Sequence, residues 1–192
     1  EMKIVEIIRI TFVIILLYCL YGFNQYLLHS NLKYAAWRHH DLSGYDFQKI
    51  GAGRGDFDAH IFSHCNFTKA EVIDSSLRMM RFNGANMTEA NFDNSDFYKA
   101  DLSFVHAYKA NFKYAILWGA NCDHADFRQV NFTRSILFGA DLSTANLKGA
   151  NLWHAIYSSK TKWPKGFDPK RAGAVFFADT GRNYKRNYNG MR

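Results

Sequence analysis

The sequence predicts an all-β solenoid over residues 40–159, preceded by one apolar helix. Leu or Phe recurs at every fifth position in a single register, and a small residue often stands two positions earlier. A five-residue period fits neither regular structure: on an α-helix the apolar positions would spread around the cylinder, and along one strand they would change face at every repeat. The period therefore predicts short extended pieces separated by corners, which close into coils that stack.

The first predicted element is a helix within residues 1–30. Residues 10–28 contain no charged side chain, and as a helix they would extend about 28 Å, close to the hydrocarbon thickness of a bilayer. Three tyrosines and Trp37 lie in or beyond its second half, where aromatic rings favour the membrane interface. We predict a single membrane span, and a helix that caps the solenoid is the alternative. Basic residues on both sides leave the orientation undecided.

Residues 31–39 form a predicted linker, after which the repeat begins. In each pentapeptide we expect the first residue (small) and the third (Leu or Phe) to point inward and the other three to point outward. The third position holds Leu or Phe in eighteen of twenty-four repeats, and the second holds Asp or Asn in fifteen. Cys65 and Cys122 fall on inward positions and are expected to be buried, unreactive thiols.

Two segments, ANFDNSDFYKADLSF and GADLSTANLKGANLW, resemble the consensus A-(D/N)-L-x-x of the pentapeptide-repeat family. The resemblance covers about 120 of the 192 residues. It implies a right-handed quadrilateral β-helix with four pentapeptides per coil, and therefore about six coils between residues 40 and 159. A W-P-x-G-F-D-P segment often follows such repeats in the family, so residues 160–178 are expected to form a terminal cap in which Trp163 and Phe167 cover the last coil.

Residues 179–192 are predicted to form a basic tail. Its net charge offers a contact with anionic lipid head groups or with an acidic partner subunit, and a solvated tail is the alternative. The candidate contacts are Arg182, Lys185, Arg186 and Arg192.

The distribution of charge and chemical groups excludes several classes of function. The chain carries a net charge of +7, but residues 40–159 hold eleven Lys/Arg and thirteen Asp/Glu, so a general nucleic-acid surface is not expected. The three cysteines lack the spacing of a zinc site, and no nucleophile motif is present. No catalytic residues, metal or cofactor are predicted, and the residues outside the repeat are too few for a separate catalytic domain.

One side of the predicted β-helix departs from the repeat. On residues 95–99, 115–119, 135–139 and 155–159 the usual Asp or Asn is replaced three times by Ile, beside large aromatic residues. Such an apolar stripe is expected to be covered by a partner protein, by a second copy, or by a terminal segment of the chain itself, and the alternative is that Ile is simply tolerated in a β-rich ladder. Trp118 is the expected anchor. The candidate interface residues are Tyr98, Ile116, Trp118, Ile136, Phe138 and Ile156.

These observations predict a non-enzymatic, membrane-tethered scaffold whose β-helix docks on a protein, within an integral membrane complex of photosynthetic or respiratory type. A single-pass protein is expected, in a bacterial inner membrane or, as the resemblance to the pentapeptide-repeat family implies, in a thylakoid, with membrane lipid as a further partner. The family implies an alternative: some members mimic DNA and protect gyrase, which requires a strongly acidic face. Here residues 40–159 carry only a small negative excess.

Overall fold

The structure is a computed structural model, and it describes residues 62–178. The predicted helix, the linker, the first repeats and the basic tail lie outside these residues, as do all four predicted tail contacts. Within residues 62–178 there is no helix with the length and hydropathy that crossing a membrane requires.

The chain completes one coil every twenty residues. Parallel bridges join residues twenty apart throughout the repeat, from Asn66 with Asn86 up to Ile136 with Ile156. The backbone hydrogen bonds follow the same register, since the amide of Asn86 donates to the carbonyl of Cys65 at 2.9 Å. The prediction that residues twenty apart stack is therefore confirmed, with almost five coils in the described residues. Two regular strands occur at the C-terminal end, β1 (Ile156–Tyr157) and β2 (Val175–Phe176), which pair in parallel.

Most corners are tight turns in which the fifth residue of the pentapeptide lies in the left-handed region. The turn closes with a bond such as that from the amide of Ala90 to the carbonyl of Met87 at 3.0 Å, and Glu89 has φ of 58°. This is the geometry of a type II turn, which favours glycine. Within residues 62–178, fourteen residues other than glycine adopt a positive φ, at roughly 1–2 kcal/mol each, so stacking of the coils must offset this cost.

The Asp/Asn preference at the second position has a local cause. The side-chain oxygen accepts a hydrogen bond from the amide two residues later, as from Ser103 to Asp101 at 3.1 Å, and so stabilises the approach to the corner. The residues that make this bond are Asn66, Asn86, Asn91, Asp96, Asp101, Asn111, Asn121, Asp126, Asn131, Asp141, Asn146 and Asn151. On one side the amides also form a ladder, because Asn131 donates to Asn111 and Asn111 donates to Asn91.

The interior is filled by the first and third positions. Phenylalanine rings contact one another continuously from Phe62 to Phe132, with Phe112 near the middle of the series. Cys65 and Cys122 are fully buried and reduced, as predicted, and burial raises the pKa of the Cys122 thiol well above its ordinary value. These cysteines are therefore packing residues.

After the last coil the chain crosses the open end of the β-helix. Thr161 donates its hydroxyl to the carbonyl of Leu137 at 2.7 Å, and Lys162 bridges to Asp141. Trp163 packs edge-on against Tyr157 with ring centroids 5.4 Å apart, and Phe167 stacks on Trp163 at 5.3 Å. These rings lie at the end of the apolar interior.

We expect Phe112→Ala to lower the free energy of unfolding by about 3–5 kcal/mol, because it leaves a cavity beneath four other phenylalanines. The ring centroid of Phe112 lies 5.0 Å from that of Phe92 and 5.6 Å from that of Phe132. Urea denaturation provides the measurement. Phe104→Ala is the control: Phe104 is 54 % exposed, and we expect a change below about 0.5 kcal/mol. Equal losses in the two variants would contradict this account of the core.

The ion pair between Lys162 and Asp141 predicts a small dependence of stability on pH. The ammonium, at 2.7 Å, and the Ser143 hydroxyl lower the pKa of Asp141. The Asp141 carboxylate therefore binds a proton more readily in the unfolded chain than in the folded one. The stabilisation that the ion pair provides is present above about pH 4 and is lost as the pH falls further. Because the pair is largely exposed, Lys162→Met should cost at most about 1 kcal/mol at pH 7 and less at pH 3. Thermal unfolding at both pH values tests this, and an equal loss at the two would contradict it.

Candidate interaction surface

The side with the isoleucines forms two parallel columns, which together we call the apolar face. In the first column Asp96, Ile116, Ile136 and Ile156 bridge in series. In the second column Tyr98, Trp118 and Phe138 contact ring to ring, with centroids 6.2 Å and then 5.7 Å apart. The structure therefore brings together the six residues that the sequence analysis selected.

A polar boundary lies at the N-terminal end of the apolar face. The Arg78 guanidinium stands 4.2 Å from the ring centroid of Tyr98 and forms an ion pair with Asp96 at 2.6 Å. Arg78 thus contacts both columns at the coil where they cease to be apolar. The usable apolar surface begins at Ile116 and Trp118.

At the other end, β2 and the residue that follows it extend the two columns. Val175 pairs with Ile156 and continues the first column. Phe177 follows, and its ring lies 5.9 Å from that of Phe138, because the small Ser158 stands between them in the second column. Sequence reasoning missed this extension, although Ala174-Val175-Phe176 repeats the small–apolar–aromatic pattern of Ala155-Ile156-Tyr157.

The members of the apolar face differ in exposure. Ile136 and Phe138 are only 2 % and 7 % exposed. Tyr98, Ile116, Trp118 and Ile156 are half-buried, and Val175 is 45 % exposed. The two middle residues therefore hold the columns together, while the residues around them supply the accessible surface. The contact with Phe177 places part of the C-terminal segment over this face, which is one of the coverings expected from the sequence.

Isoleucine at the second position cannot form the local hydrogen bond between side chain and backbone. Its side chain has no oxygen that could accept a hydrogen bond from the backbone amide two residues later, as Asp or Asn does elsewhere. Such a bond contributes about 1 kcal/mol. Three successive replacements on one side are explained by apolar contact between coils and by the surface that this contact creates.

The other sides carry isolated polar contacts. Arg128 forms two hydrogen bonds with the Asp126 carboxylate, at 2.7 and 2.6 Å, and lowers the pKa of Asp126. Burial raises the pKa of Asp93, against the opposing effect of Lys113. Among residues 62–178 no group of three or more His, Cys, Asp or Glu side chains is arranged to hold a metal ion.

The family comparison agrees with this geometry. The model of the family described as pentapeptide repeats matches eight copies, over residues 65–103 and 108–143. The chain belongs to the pentapeptide-repeat family. Its fold is accordingly the right-handed quadrilateral β-helix of that family.

Several solved pentapeptide-repeat structures are similar. Rfr23 from the cyanobacterium Cyanothece 51142 has a TM-score of 0.50 at 17 % identity, over 64 % of this chain and 90 % of that protein, a likeness that shows the fold alone. A pentapeptide-repeat protein from Nostoc Pcc 7120 is 32 % identical over 50 % of this chain and 84 % of its own, with a TM-score of 0.29. QnrB1, a plasmid-mediated fluoroquinolone resistance protein, is 16 % identical over 80 % and 85 % of the two chains, also with a TM-score of 0.29. No curated protein matches the sequence.

Because Ile116 and Ile136 differ in burial, we predict that replacing each of them with Asn changes stability by different amounts. Ile116→Asn restores the residue type that the repeat uses elsewhere, with a side-chain oxygen of the kind that accepts a hydrogen bond two residues later in other repeats, so we expect a loss of stability below about 1 kcal/mol. Ile136→Asn places the same amide where the native side chain is almost fully buried, and we expect a loss of about 2–4 kcal/mol. Thermal and urea unfolding measure the loss of stability in each variant. Equal losses of stability in the two variants would contradict the assignment of Ile136 to the interior of the columns.

Proposed function

We propose that this pentapeptide-repeat protein is a non-enzymatic, membrane-tethered scaffold whose β-helix docks on a partner protein through the apolar face. The supporting observation is the pair of columns, in which Ile replaces the usual Asp or Asn in three successive coils beside the aromatic series of Tyr98, Trp118 and Phe138. A patch of this kind marks an interaction site on a protein surface.

Trp118 is the proposed anchor of the interface. It is half-buried between Tyr98 and Phe138, so its ring orientation is fixed before a partner arrives and little side-chain entropy is lost on binding. Ile116 lies two residues earlier in the same coil and adds apolar area beside it. Tryptophan within a desolvated patch is the residue type that most often dominates binding energy.

The tether rests on residues 10–28, whose length and lack of charge suit a bilayer. Such a tether would attach the β-helix to a membrane. The proposed partner is accordingly a subunit of an integral membrane complex.

The charge of the β-helix disfavours the gyrase-protecting alternative. Residues 62–159 contain nine Lys/Arg and nine Asp/Glu, so they lack the net negative charge that an imitation of DNA requires. The likeness to QnrB1 does not change this, because at a TM-score of 0.29 it supports no inference about function.

Site-specific photo-crosslinking tests the docking surface. A photoreactive residue in place of Trp118 in the full chain, in its native membrane, should give a discrete crosslinked product, whereas one in place of Lys148 on another side should not. Combining Ile116→Asn with Trp118→Ala should abolish co-purification of the protein identified in that product. Because neither side chain is fully buried, the far-ultraviolet circular dichroism should remain that of the native fold.

Phe104→Ala is the matched control, because it removes an exposed aromatic ring from a different side. Retention of the partner by the double variant would exclude the apolar face as the docking site. A full-length protein that stays soluble without detergent and inhibits gyrase supercoiling would replace the proposed function with the alternative.

A further inference from the structure

The net positive charge of the described residues is concentrated at one end. Residues 160–178 contain five Lys/Arg and one Asp, whereas residues 62–159 are neutral. All five basic side chains are exposed. They are Lys160, Lys162, Lys165, Lys170 and Arg171.

The backbone places residues 164–172 beyond the last coil. The segment leaves from Lys162, which bridges to Asp141, and returns at Gly173, whose carbonyl accepts the amide of His154 at 2.9 Å. Internal bonds hold its shape: the amide of Ala174 donates to the carbonyl of Pro169 at 2.9 Å, and the amide of Arg171 donates to the Asp168 carboxylate at 3.1 Å. The cations are therefore carried on a folded segment.

Large apolar side chains are exposed at the same end. Phe176, whose ring lies 5.5 Å from that of Tyr157, is 46 % exposed, and the adjacent Val175 is 45 % exposed. Trp153 is 51 % exposed, and its backbone lies directly against Gly173, where an added Cβ would stand 3.3 Å from the Trp153 Cα. We call this combination of three apolar side chains and five cations the basic tip, which adjoins the end of the apolar face at Val175.

We propose that the basic tip docks on an anionic lipid bilayer. Aromatic side chains partition into the interfacial region, and each cation near an anionic leaflet adds about 1 kcal/mol of attraction, so the two features reinforce each other at the same end of the β-helix. A nucleic acid would satisfy the cations but would leave the aliphatic Val175 and the apolar edge of Phe176 without a complementary surface. The inference rests on the proposed function for its membrane context, and it deepens that function by naming a lipid contact for the β-helix itself.

A fluorophore at the tip tests the proposal in the full chain. In a Cys19→Ser background the remaining cysteines are fully buried, so Phe176→Cys accepts an environment-sensitive nitrobenzoxadiazole label at one site. Vesicles of phosphatidylcholine with 30 % phosphatidylserine should shift its emission to the blue, and a lipid-embedded quencher should reduce it. Vesicles of phosphatidylcholine alone should give little shift. The same label at Phe104→Cys, on the flank of the β-helix, should stay in water with both compositions.

The charge variants make the test specific to the tip. Replacing Lys165, Lys170 and Arg171 together with Gln should lower the ratio of docked to undocked tip about 100-fold, roughly fivefold for each cation. The control replaces three exposed side chains along the flank, Lys69, Lys109 and Lys148, with Gln and removes the same charge; it should preserve the shift.

Four results would overturn the proposal: equal shifts at positions 104 and 176, equal effects of the two triple variants, a shift with duplex DNA but not with vesicles, or a shift that grows with protein concentration in the absence of lipid. The last would assign the tip to a second copy of the chain. Any of these outcomes alongside intact crosslinking at position 118 would leave the proposed docking function standing.

Discussion

The twenty-residue register between coils is the constraint on which the rest of the structure depends. Every backbone bridge in the repeat joins one coil to the next, so a short extended piece has no pairing within its own coil. Each coil also contains corners in the left-handed conformation, which residues other than glycine adopt at a cost. A single coil would therefore be unstable, and stability arises as neighbouring coils share hydrogen bonds and interior rings. The phenylalanines that connect Phe62 to Phe132 supply much of this coupling across the interior.

The fold and the members of the apolar face could be predicted because the five-residue repeat in the sequence determines the register between coils. Once residues twenty apart are known to stack, Ile116, Ile136 and Ile156 must form one column. Their burial could not be predicted in the same way. Ile136 is almost inaccessible whereas Ile116 is half-buried, and this difference depends on what lies above and below each residue.

The C-terminal extension was harder to predict because the register changes there. Asp141 pairs with Lys162, twenty-one residues later, and Ile156 pairs with Val175, nineteen residues later. The spacing is one residue longer than twenty before the segment that crosses the end of the β-helix and one residue shorter than twenty after it, so a search at a fixed period of five stops at Ser159. Phe177 reaches Phe138 only because Ser158 is small, which is a matter of side-chain volume. The basic tip arises from the same change of register, since residues 164–172 occupy the length that a regular coil would have used.

Function in this architecture must reside in the departures from the repeat. The first and third positions are occupied by packing, the second by the hydrogen bond to the corner, and the fifth by the left-handed turn. The side chain of the fourth position has no structural role that all the repeats share, and it is there that Tyr98, Trp118 and Phe138 lie. Where the second position also becomes Ile, the chain gives up a hydrogen bond that the fold would otherwise use. The apolar face is therefore the side on which three consecutive coils lack the stabilising Asp/Asn hydrogen bond and carry apolar side chains in its place. This is the physical argument for assigning the docking role to it.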